Sequence, residues 1–157
     1  MALDSVIQEL VDKAAIRELM MKYARGIDRR DLDLIAYGFT PDAHTNYDDG
    51  EQQGLEEIVR CLRTAISRFD CSTHFMGDQE IQVSRDTADV ETYAIDYLLY
   101  TIEGKQYQSI GGLRYQDKMV RRDGRWLVQH RSLLTDWRRN SLVDNSVPGN
   151  EQAPTTE

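Results

Sequence analysis

Residues 88–126 read ADVETYAIDYLLYTIEGKQYQSIGGLRYQDKMVRRDGRW, and apolar and polar side chains alternate through most of them. Alternation with a period of two is typical of β-strands that bury one face. Two strand-like runs are separated by Glu103-Gly104-Lys105, and Asp123-Gly124 follows the second run. Both separators favour tight hairpin turns. Gly111-Gly112 inside the second run indicates a bulge or sharp bend that would curl the sheet.

Similar runs lie on either side of this stretch, so the chain after Cys71 is rich in β-strand signals. Arg85-Asp86 separates the first of these runs from the second. Turns this short join neighbouring antiparallel strands. The pattern therefore predicts an antiparallel meander with strands at His74–Ser84, Ala88–Ile102, Gln106–Arg122 and Arg125–Asp136. A short edge strand is also predicted at Ala43–Tyr47.

The N-terminal half of the chain has helical periodicity instead. From Leu55 to Phe69 the apolar residues fit one face of a helix with almost no exceptions. A first helix is predicted from a capping box at Ser5 to about Gly26, and a second from about Asp31 to Phe39, ended by Pro41. Helices followed by a curled sheet indicate the α+β class, with three N-terminal helices packed in the concave face of a cone-shaped antiparallel sheet.

Composition and charge narrow the classes of protein to consider. With 157 residues and 40% hydrophobic composition, the chain is long enough for one domain and too short for two ordinary ones. The formal net charge of -8 argues against a nucleic-acid partner, because that binding needs a basic surface. No stretch resembles a targeting segment or is apolar enough to span a bilayer. A cytoplasmic protein without a membrane partner is expected.

Two residues at predicted element ends are candidates for chemistry. Asp28 closes the first helix and His74 opens the first long strand, and a carboxylate that orients an imidazole makes a general base. Other interpretations stay open from the residues alone. Asp28 could instead be the N-cap of the second helix, as could Asp31, and His74 could be a hydrogen-bonded core histidine. The acidic loop around His44 lacks a recognised ligand spacing, so no metal site is predicted.

Three stretches of the chain look like parts of one known family. They are Ala14–Leu19 leading to Gly26–Arg30, the strand start Thr73–Gly77, and Gly111-Gly112 leading through Arg121–Trp126 to His130-Arg131. With the order of the elements, they resemble the nuclear-transport-factor-like cone fold, specifically its SnoaL-like enzyme branch. The resemblance covers roughly residues 5 to 138. Within the branch the chain is most similar to gamma-hexachlorocyclohexane dehydrochlorinase, scytalone dehydratase and bile-acid dehydratase.

The resemblance implies roles for individual residues. His74 falls on the catalytic base of the branch and Asp28 on the carboxylate that orients it. Arg131 falls on a site arginine, which would offset developing negative charge. Tyr23 falls on a site tyrosine where the dehydrochlorinase has a lysine, and a phenol suits an oxygen leaving group better than a chloride. Weaker correspondences suggest substrate-binding roles for Tyr47, Asp96 and Tyr97.

The implied activity is that of a cofactor-independent lyase, most simply a dehydratase, acting on a small hydrophobic cyclic substrate. An isomerase or polyketide-cyclase-type enzyme would use the same base, and a non-catalytic assembly subunit, such as a ring-hydroxylating dioxygenase small subunit, would share the fold. Residues 1–139 are expected to form one cone domain. Residues 140–157 are expected to be a polar tail, loosely ordered or packed on a neighbouring subunit. The resemblance implies a homo-oligomer, with a trimer favoured over a dimer.

Overall fold

The computed structural model describes residues 3–48 and 50–143. In chain order, its elements are α1 (Leu3–Arg29), α2 (Leu32–Ala36), β1 (Phe39–Tyr47), β2 (Gly50–Gln53), α3 (Leu55–Ile66), β3 (Cys71–Ser84), β4 (Thr87–Ile102), β5 (Lys105–Arg122) and β6 (Arg125–Leu142). The predicted α+β class is confirmed, with a curved, unclosed sheet. Of the expected polar tail, residues 140–142 continue β6, and residues 144–157 lie outside the described part of the chain.

The strands form one sheet in the order β2-β1-β6-β5-β4-β3. The strands β3 to β6 make the predicted antiparallel meander. β1 pairs in parallel with β6 and antiparallel with β2. The strand predicted at residues 43–47 is confirmed as part of β1, but its predicted edge position is wrong, because β1 lies inside the sheet and β2 takes the edge. β2 was not predicted, because its residues, Gly50–Gln53, include no apolar side chain and so show no strand periodicity.

The hairpin turns and one glycine explain how such long strands curl. Each two-residue turn has a positive φ at its first position, and Gly104 and Gly124 follow with φ of 76° and 74°. Turns of this kind match the twist of the strands that they join. Further along the strands, the β5–β6 register shifts between Gly112 and Leu113. A Cβ on residue 112 would lie 2.2 Å from Trp137 Nε1, so only glycine lets the indole cross β5 at this bend.

The ends of the first two helices place the candidate carboxylate. α1 continues to Arg29, further than the periodicity predicted. Asp31 is the N-cap of α2, since its side chain accepts a hydrogen bond from Leu34 N at 3.0 Å. Asp28 therefore lies in the last turn of α1 and does not cap the second helix.

The core lies between the helices and the concave face of the sheet. α1 contributes Ile16 and Met20, and the predicted stripe of α3 contributes Ile58 and Leu62. Fully burying each such side chain is worth roughly 1.5–3 kcal/mol. The opposite side of α1 is mixed rather than uniformly polar, since it also exposes Leu10, Val11 and Met21. Among residues 3–48 and 50–143, no helix combines the length and hydrophobicity needed to cross a bilayer.

The outer face of the sheet exposes large apolar side chains. Phe75 is 72% exposed, Tyr93 53%, Ile95 46% and Trp137 48%. These residues surround a shallow depression on β3, β4, β5 and β6. Exposed apolar patches of this kind mark interaction surfaces more often than single exposed residues do.

The sheet also contains a fully buried ion pair beneath α1. Arg131 donates to both carboxylate oxygens of Asp117, at 2.7 Å from Nε and 2.8 Å from Nη2, and both side chains are 0% exposed. Burial alone would lower the pKa of Arg131, but the charge of Asp117 and its hydrogen bonds outweigh it and leave the pKa well above the ordinary value. The guanidinium therefore stays charged and depends on one carboxylate for neutralisation.

Replacing Asp117 with asparagine should destabilise the fold strongly. The change removes the compensating charge but keeps the shape, so Asp117→Asn is expected to lower the free energy of unfolding by about 3–5 kcal/mol. Urea denaturation followed by tryptophan fluorescence measures the loss. Asp89→Asn is the matched control, because the Lys118–Asp89 pair spans the same kind of neighbouring strands but its side chains are 71% and 68% exposed.

The control should cost about 1 kcal/mol or less, since solvent screens an exposed pair. Equal losses in the two variants would contradict the assignment of Asp117 as the neutralising group of a buried cation. The double variant Asp117→Leu, Arg131→Leu should recover much of the loss, because replacing a whole buried pair by apolar side chains is far less costly than breaking it.

Candidate active site

Asp28 and His74 meet where α1 ends and β3 begins. The Nδ1 atom of His74 lies 2.7 Å from Asp28 Oδ1, and the His74 backbone N–H donates to Asp28 Oδ2 at 2.8 Å. The Ser72 hydroxyl donates to Asp28 Oδ1 at 2.9 Å. One carboxylate thus accepts three hydrogen bonds from a single short piece of strand. This arrangement fixes both the backbone at the start of β3 and the orientation of the imidazole ring.

A second contact holds the same two elements together. Arg30 has φ of 57° and directs its guanidinium back to the loop before β3, where Nη2 donates to the carbonyl oxygens of Phe69 and Asp70. Asp70 is itself tied to β4, because its Oδ2 accepts from Thr101 Oγ1 at 2.7 Å. The end of α1 is therefore anchored on both sides of the Asp28 carboxylate.

The charge state of Asp28 follows from its partners. Partial burial alone would raise the pKa of Asp28, but hydrogen bonds from the His74 ring, the His74 backbone and Ser72 outweigh burial and hold the pKa below its ordinary value. The carboxylate is therefore charged at neutral pH and only accepts hydrogen bonds. It requires the neutral imidazole to carry its proton on Nδ1, which leaves the lone pair on Nε2.

His74 lines a pocket inside the cone, which we call the cone pocket. Its volume is about 290 Å³, close to the lower end of the usual range for small-molecule sites, about 300–1,000 Å³. α1, α3 and the sheet supply its apolar wall, which includes Ile27, Leu62, Ile66, Leu98, Leu113 and Leu133. Polar side chains also reach it, among them Ser72, Asp96, Ser109 and Arg138 beside His74. Such a pocket suits a compact, largely apolar molecule.

Tyr23 and Tyr47 bring two phenols to the cone pocket. Their hydroxyl oxygens are 3.4 Å apart, a long hydrogen bond in which either hydroxyl can be the donor. Burial, and to a smaller extent the nearby Tyr23, raises the pKa of Tyr47 well above its ordinary value. At neutral pH Tyr47 is therefore a neutral phenol that can donate a hydrogen bond to an oxygen in the pocket.

Arg131 is not among the residues that line the cone pocket. Its guanidinium is bound to Asp117 and lies 4.3 Å from the centroid of the Tyr23 ring and 4.9 Å from that of the Tyr115 ring. Arg131 therefore lies outside the wall of the cone pocket, with buried aromatic rings and Asp117 around it. One of its nitrogens, Nη1, is buried without an acceptor among the described residues.

The two neighbouring candidates on β4 separate to opposite sides of the sheet. Asp96 is buried and lines the cone pocket, directly across from His74 in the strand register. Tyr97 does not line the pocket, and its hydroxyl donates instead to Gln108 Oε1. Successive residues of a strand point to opposite faces, so only one of this pair could face inward. Asp96 and Tyr47 therefore reach the pocket, whereas Tyr97 does not line it.

Several polar residues of the cone pocket were not predicted. Ser72 could have been found, because it lies two residues before His74 and must share its face in an extended strand. Ser109 and Arg138 line the pocket from β5 and β6. Arg138 gave no signal because the strand pattern was predicted to end at Asp136, before the residue that reaches back into the cone.

The comparisons with known proteins agree with this architecture. The sequence matches the family model of the SnoaL-like domain over residues 8–132. It is 27% identical over 127 residues to the uncharacterized protein Rv2910c of Mycobacterium tuberculosis, covering 80% of this chain and 86% of that protein.

Solved structures share the fold over nearly the whole chain. A candidate scytalone dehydratase from Novosphingobium aromaticivorans DSM 12444 superposes with a TM-score of 0.79 at 23% identity, covering 94% of this chain and 99% of that one. Hexachlorocyclohexane dehydrochlorinase LinA-type3 from Novosphingobium barchaimii LL02 gives a TM-score of 0.76 at 20% identity, covering 94% and 98%. At these identities the likeness concerns the fold. Together with the family match, it confirms the resemblance seen in the sequence: the chain belongs to the SnoaL-like domain family.

Proposed function

We propose that this protein is a cofactor-independent lyase, most simply a dehydratase, that uses His74 as general base on a small cyclic substrate. The observation that carries the proposal is the 2.7 Å contact between His74 Nδ1 and Asp28 in the wall of an apolar pocket. A charged carboxylate on one ring nitrogen makes the other a competent proton acceptor. General base catalysis contributes typically 10²–10⁴-fold to a rate.

In the proposed reaction, Nε2 of His74 removes a proton from a carbon next to a carbonyl group. The electron pair left by that C–H bond forms the new carbon–carbon double bond as the neighbouring C–O bond breaks. The imidazolium that forms is stabilised by Asp28, which keeps its negative charge throughout. The departing hydroxyl takes a proton from a phenol and leaves as water.

The two phenols of the cone pocket support an oxygen leaving group. Only one proton lies between the two oxygens, so the other hydroxyl of Tyr23 or Tyr47 is free to donate to a substrate oxygen. The cation of Arg131 lies 4.3 Å from the centroid of the Tyr23 ring, where it can offset negative charge that develops on the Tyr23 oxygen. Arg131 therefore acts in this proposal through the tyrosines and not by touching the substrate. Asp96 and Tyr47 are proposed to contact the substrate.

The alternatives differ in the step that comes after proton removal. An isomerase would return the proton to another carbon, and a polyketide-cyclase-type enzyme would use the same carbanion for carbon–carbon bond formation, so both share the base. A non-catalytic assembly subunit is less well supported. Such a subunit has no need of an unfilled apolar pocket that a hydrogen-bonded Asp–His pair borders.

The outer face of the sheet supports an oligomer of this chain. Phe75, Tyr93 and Trp137 present an apolar patch on the side of the sheet opposite the cone pocket. We propose that this patch packs against further copies of the chain, with a trimer favoured over a dimer. The cone pocket then stays accessible in each copy.

Replacing either member of the Asp–His pair should abolish proton removal. Purified parent, His74→Ala and Asp28→Asn are incubated in D₂O with a panel of small cyclic β-hydroxy ketones, and NMR follows deuterium uptake next to the carbonyl together with loss of water. Both variants are expected to lose about 10²–10⁴-fold in rate with an unchanged circular dichroism spectrum. His130→Ala, an exposed histidine on β6, is the matched control and should keep the parent rate.

Parent activity in His74→Ala on a substrate that the parent converts would refute the assignment of the base. Deuterium uptake without loss of water would favour the isomerase over the dehydratase. Both readouts come from the same spectra, so the two outcomes are separated in one experiment.

Charges placed on the outer patch should prevent assembly. Phe75→Glu combined with Tyr93→Glu puts two carboxylates into the proposed interface and is expected to shift the mass measured by light scattering from the trimer to the monomer. Leu10→Glu is the control, since Leu10 is also an exposed apolar residue, 62% exposed, but lies on α1. A parent protein that is monomeric at all concentrations, or an unchanged oligomer in the double variant, would contradict this interface.

A further inference from the structure

Four residues form a straight row across the sheet from the base to β6. In the strand register, His74 on β3 is opposite Asp96 on β4, Asp96 is opposite Gly111 on β5, and Gly111 is opposite Arg138 on β6. His74, Asp96 and Arg138 all line the cone pocket. They therefore lie on the same face, with the glycine as the bare position between the two charged residues.

The bare position lets an ion pair cross a whole strand. Arg138 Nη2 donates to Asp96 Oδ2 at 2.9 Å, and Nη1 donates to Asp96 Oδ1 at 3.2 Å and to Ser109 Oγ at 3.0 Å. A Cβ on residue 111 would lie 2.6 Å from Asp96 Oδ1 and 2.9 Å from Arg138 Cζ. Any other residue at Gly111 would therefore push the two charged groups apart.

The Arg138–Asp96 ion pair reduces the negative charge that surrounds His74. His74 already contacts one carboxylate, Asp28, and Asp96 is a second carboxylate directly opposite on the neighbouring strand, where Cβ atoms are about 4.5–5.5 Å apart. Two unneutralised carboxylates would favour the imidazolium, which has no lone pair with which to accept a proton. Arg138 neutralises Asp96, and Asp28 stays hydrogen-bonded to the His74 ring.

We propose that Arg138 is a positioning residue that keeps His74 unprotonated by neutralising Asp96. The inference deepens the proposed function, since it concerns the working state of the same base, but it can be tested without a substrate. Other titratable or charged groups that face the pocket are Tyr23, Tyr47, Asp48, Cys61, Arg68 and Tyr115. None of the six is replaced in the Asp96 and Arg138 variants, so differences between these variants are attributed to Asp96 and Arg138.

The test is an NMR titration of the His74 ring in the full chain. The chain has three histidines, and the His74 signal is assigned by its loss in His74→Gln. In Arg138→Gln the unneutralised Asp96 should move the midpoint of His74 protonation to higher pH by about one unit. In Asp96→Asn the unpaired cation should move it to lower pH. In the double variant the midpoint should return close to that of the parent.

Arg114→Gln is the matched control for losing a sheet arginine. Arg114 also pairs with an aspartate, Asp136 on the neighbouring strand β6, and its side chain is 28% exposed against 29% for Arg138, but it does not line the cone pocket. This variant should leave the His74 midpoint unchanged. Circular dichroism checks each variant for folding. If Arg138→Gln does not fold, Asp96→Asn still tests the inference through the opposite sign of its shift.

An unchanged His74 midpoint in Arg138→Gln, including one caused by protonation of Asp96 in place of the ring, would overturn the inference. So would a double variant that keeps the high midpoint. The outcome is independent of the proposed function, because no turnover is measured. If the His74 midpoint shifts as expected but the protein has no lyase activity, the electrostatic role of Arg138 stands and the proposed function falls. If the midpoint does not shift but the protein is active, the proposed function stands and the role of Arg138 falls.

Discussion

The carboxylate of Asp28 joins the end of α1 to the start of β3, and the geometry of the site depends on this joint. Its two oxygens accept from the Ser72 hydroxyl, the His74 backbone and the His74 ring. α1 forms one wall of the cone pocket and β3 forms another, so the contact that orients the His74 ring also sets the separation of the walls. A helix end and a strand start that are far apart in sequence are thereby held at hydrogen-bond distance, a precondition for general base chemistry.

Inside the cone, the Asp28–His74 pair differs from the two ion pairs that arginines of β6 make with aspartates. Two arginines of β6 enter the concave side, and each is matched to one aspartate: Arg131 to Asp117 beneath α1, and Arg138 to Asp96 at the pocket. Burying an ion without a partner is costly, so this matching is a condition of folding. The carboxylate of Asp28 is left with hydrogen-bond donors only, which favours a histidine that can take up a proton and be stabilised when it does.

Much of the architecture could be predicted because it rests on local patterns. Alternation and hairpin turns gave the meander, helical stripes gave α1 and α3, and the bend at paired glycines followed from their place within a strand. The remainder depends on which residues become neighbours across strands. The partner of Arg131 lies on β5, and the role of Arg138 requires β6 to continue past its predicted end. Asp96 and Tyr97 were both candidates because the inward-facing parity of β4 cannot be read until its register with His74 is known.

The most direct measurement is the tautomer of His74, read from one-bond and two-bond ¹H–¹⁵N couplings in the unliganded protein above the pH at which the ring is protonated. A ring held by Asp28 for base catalysis must carry its proton on Nδ1, with a hydrogen-bonded proton signal that disappears in Asp28→Asn, and must show an unprotonated Nε2. A ring that carries its proton on Nε2, or that samples both tautomers equally, would contradict the assignment of His74 as a base oriented by Asp28.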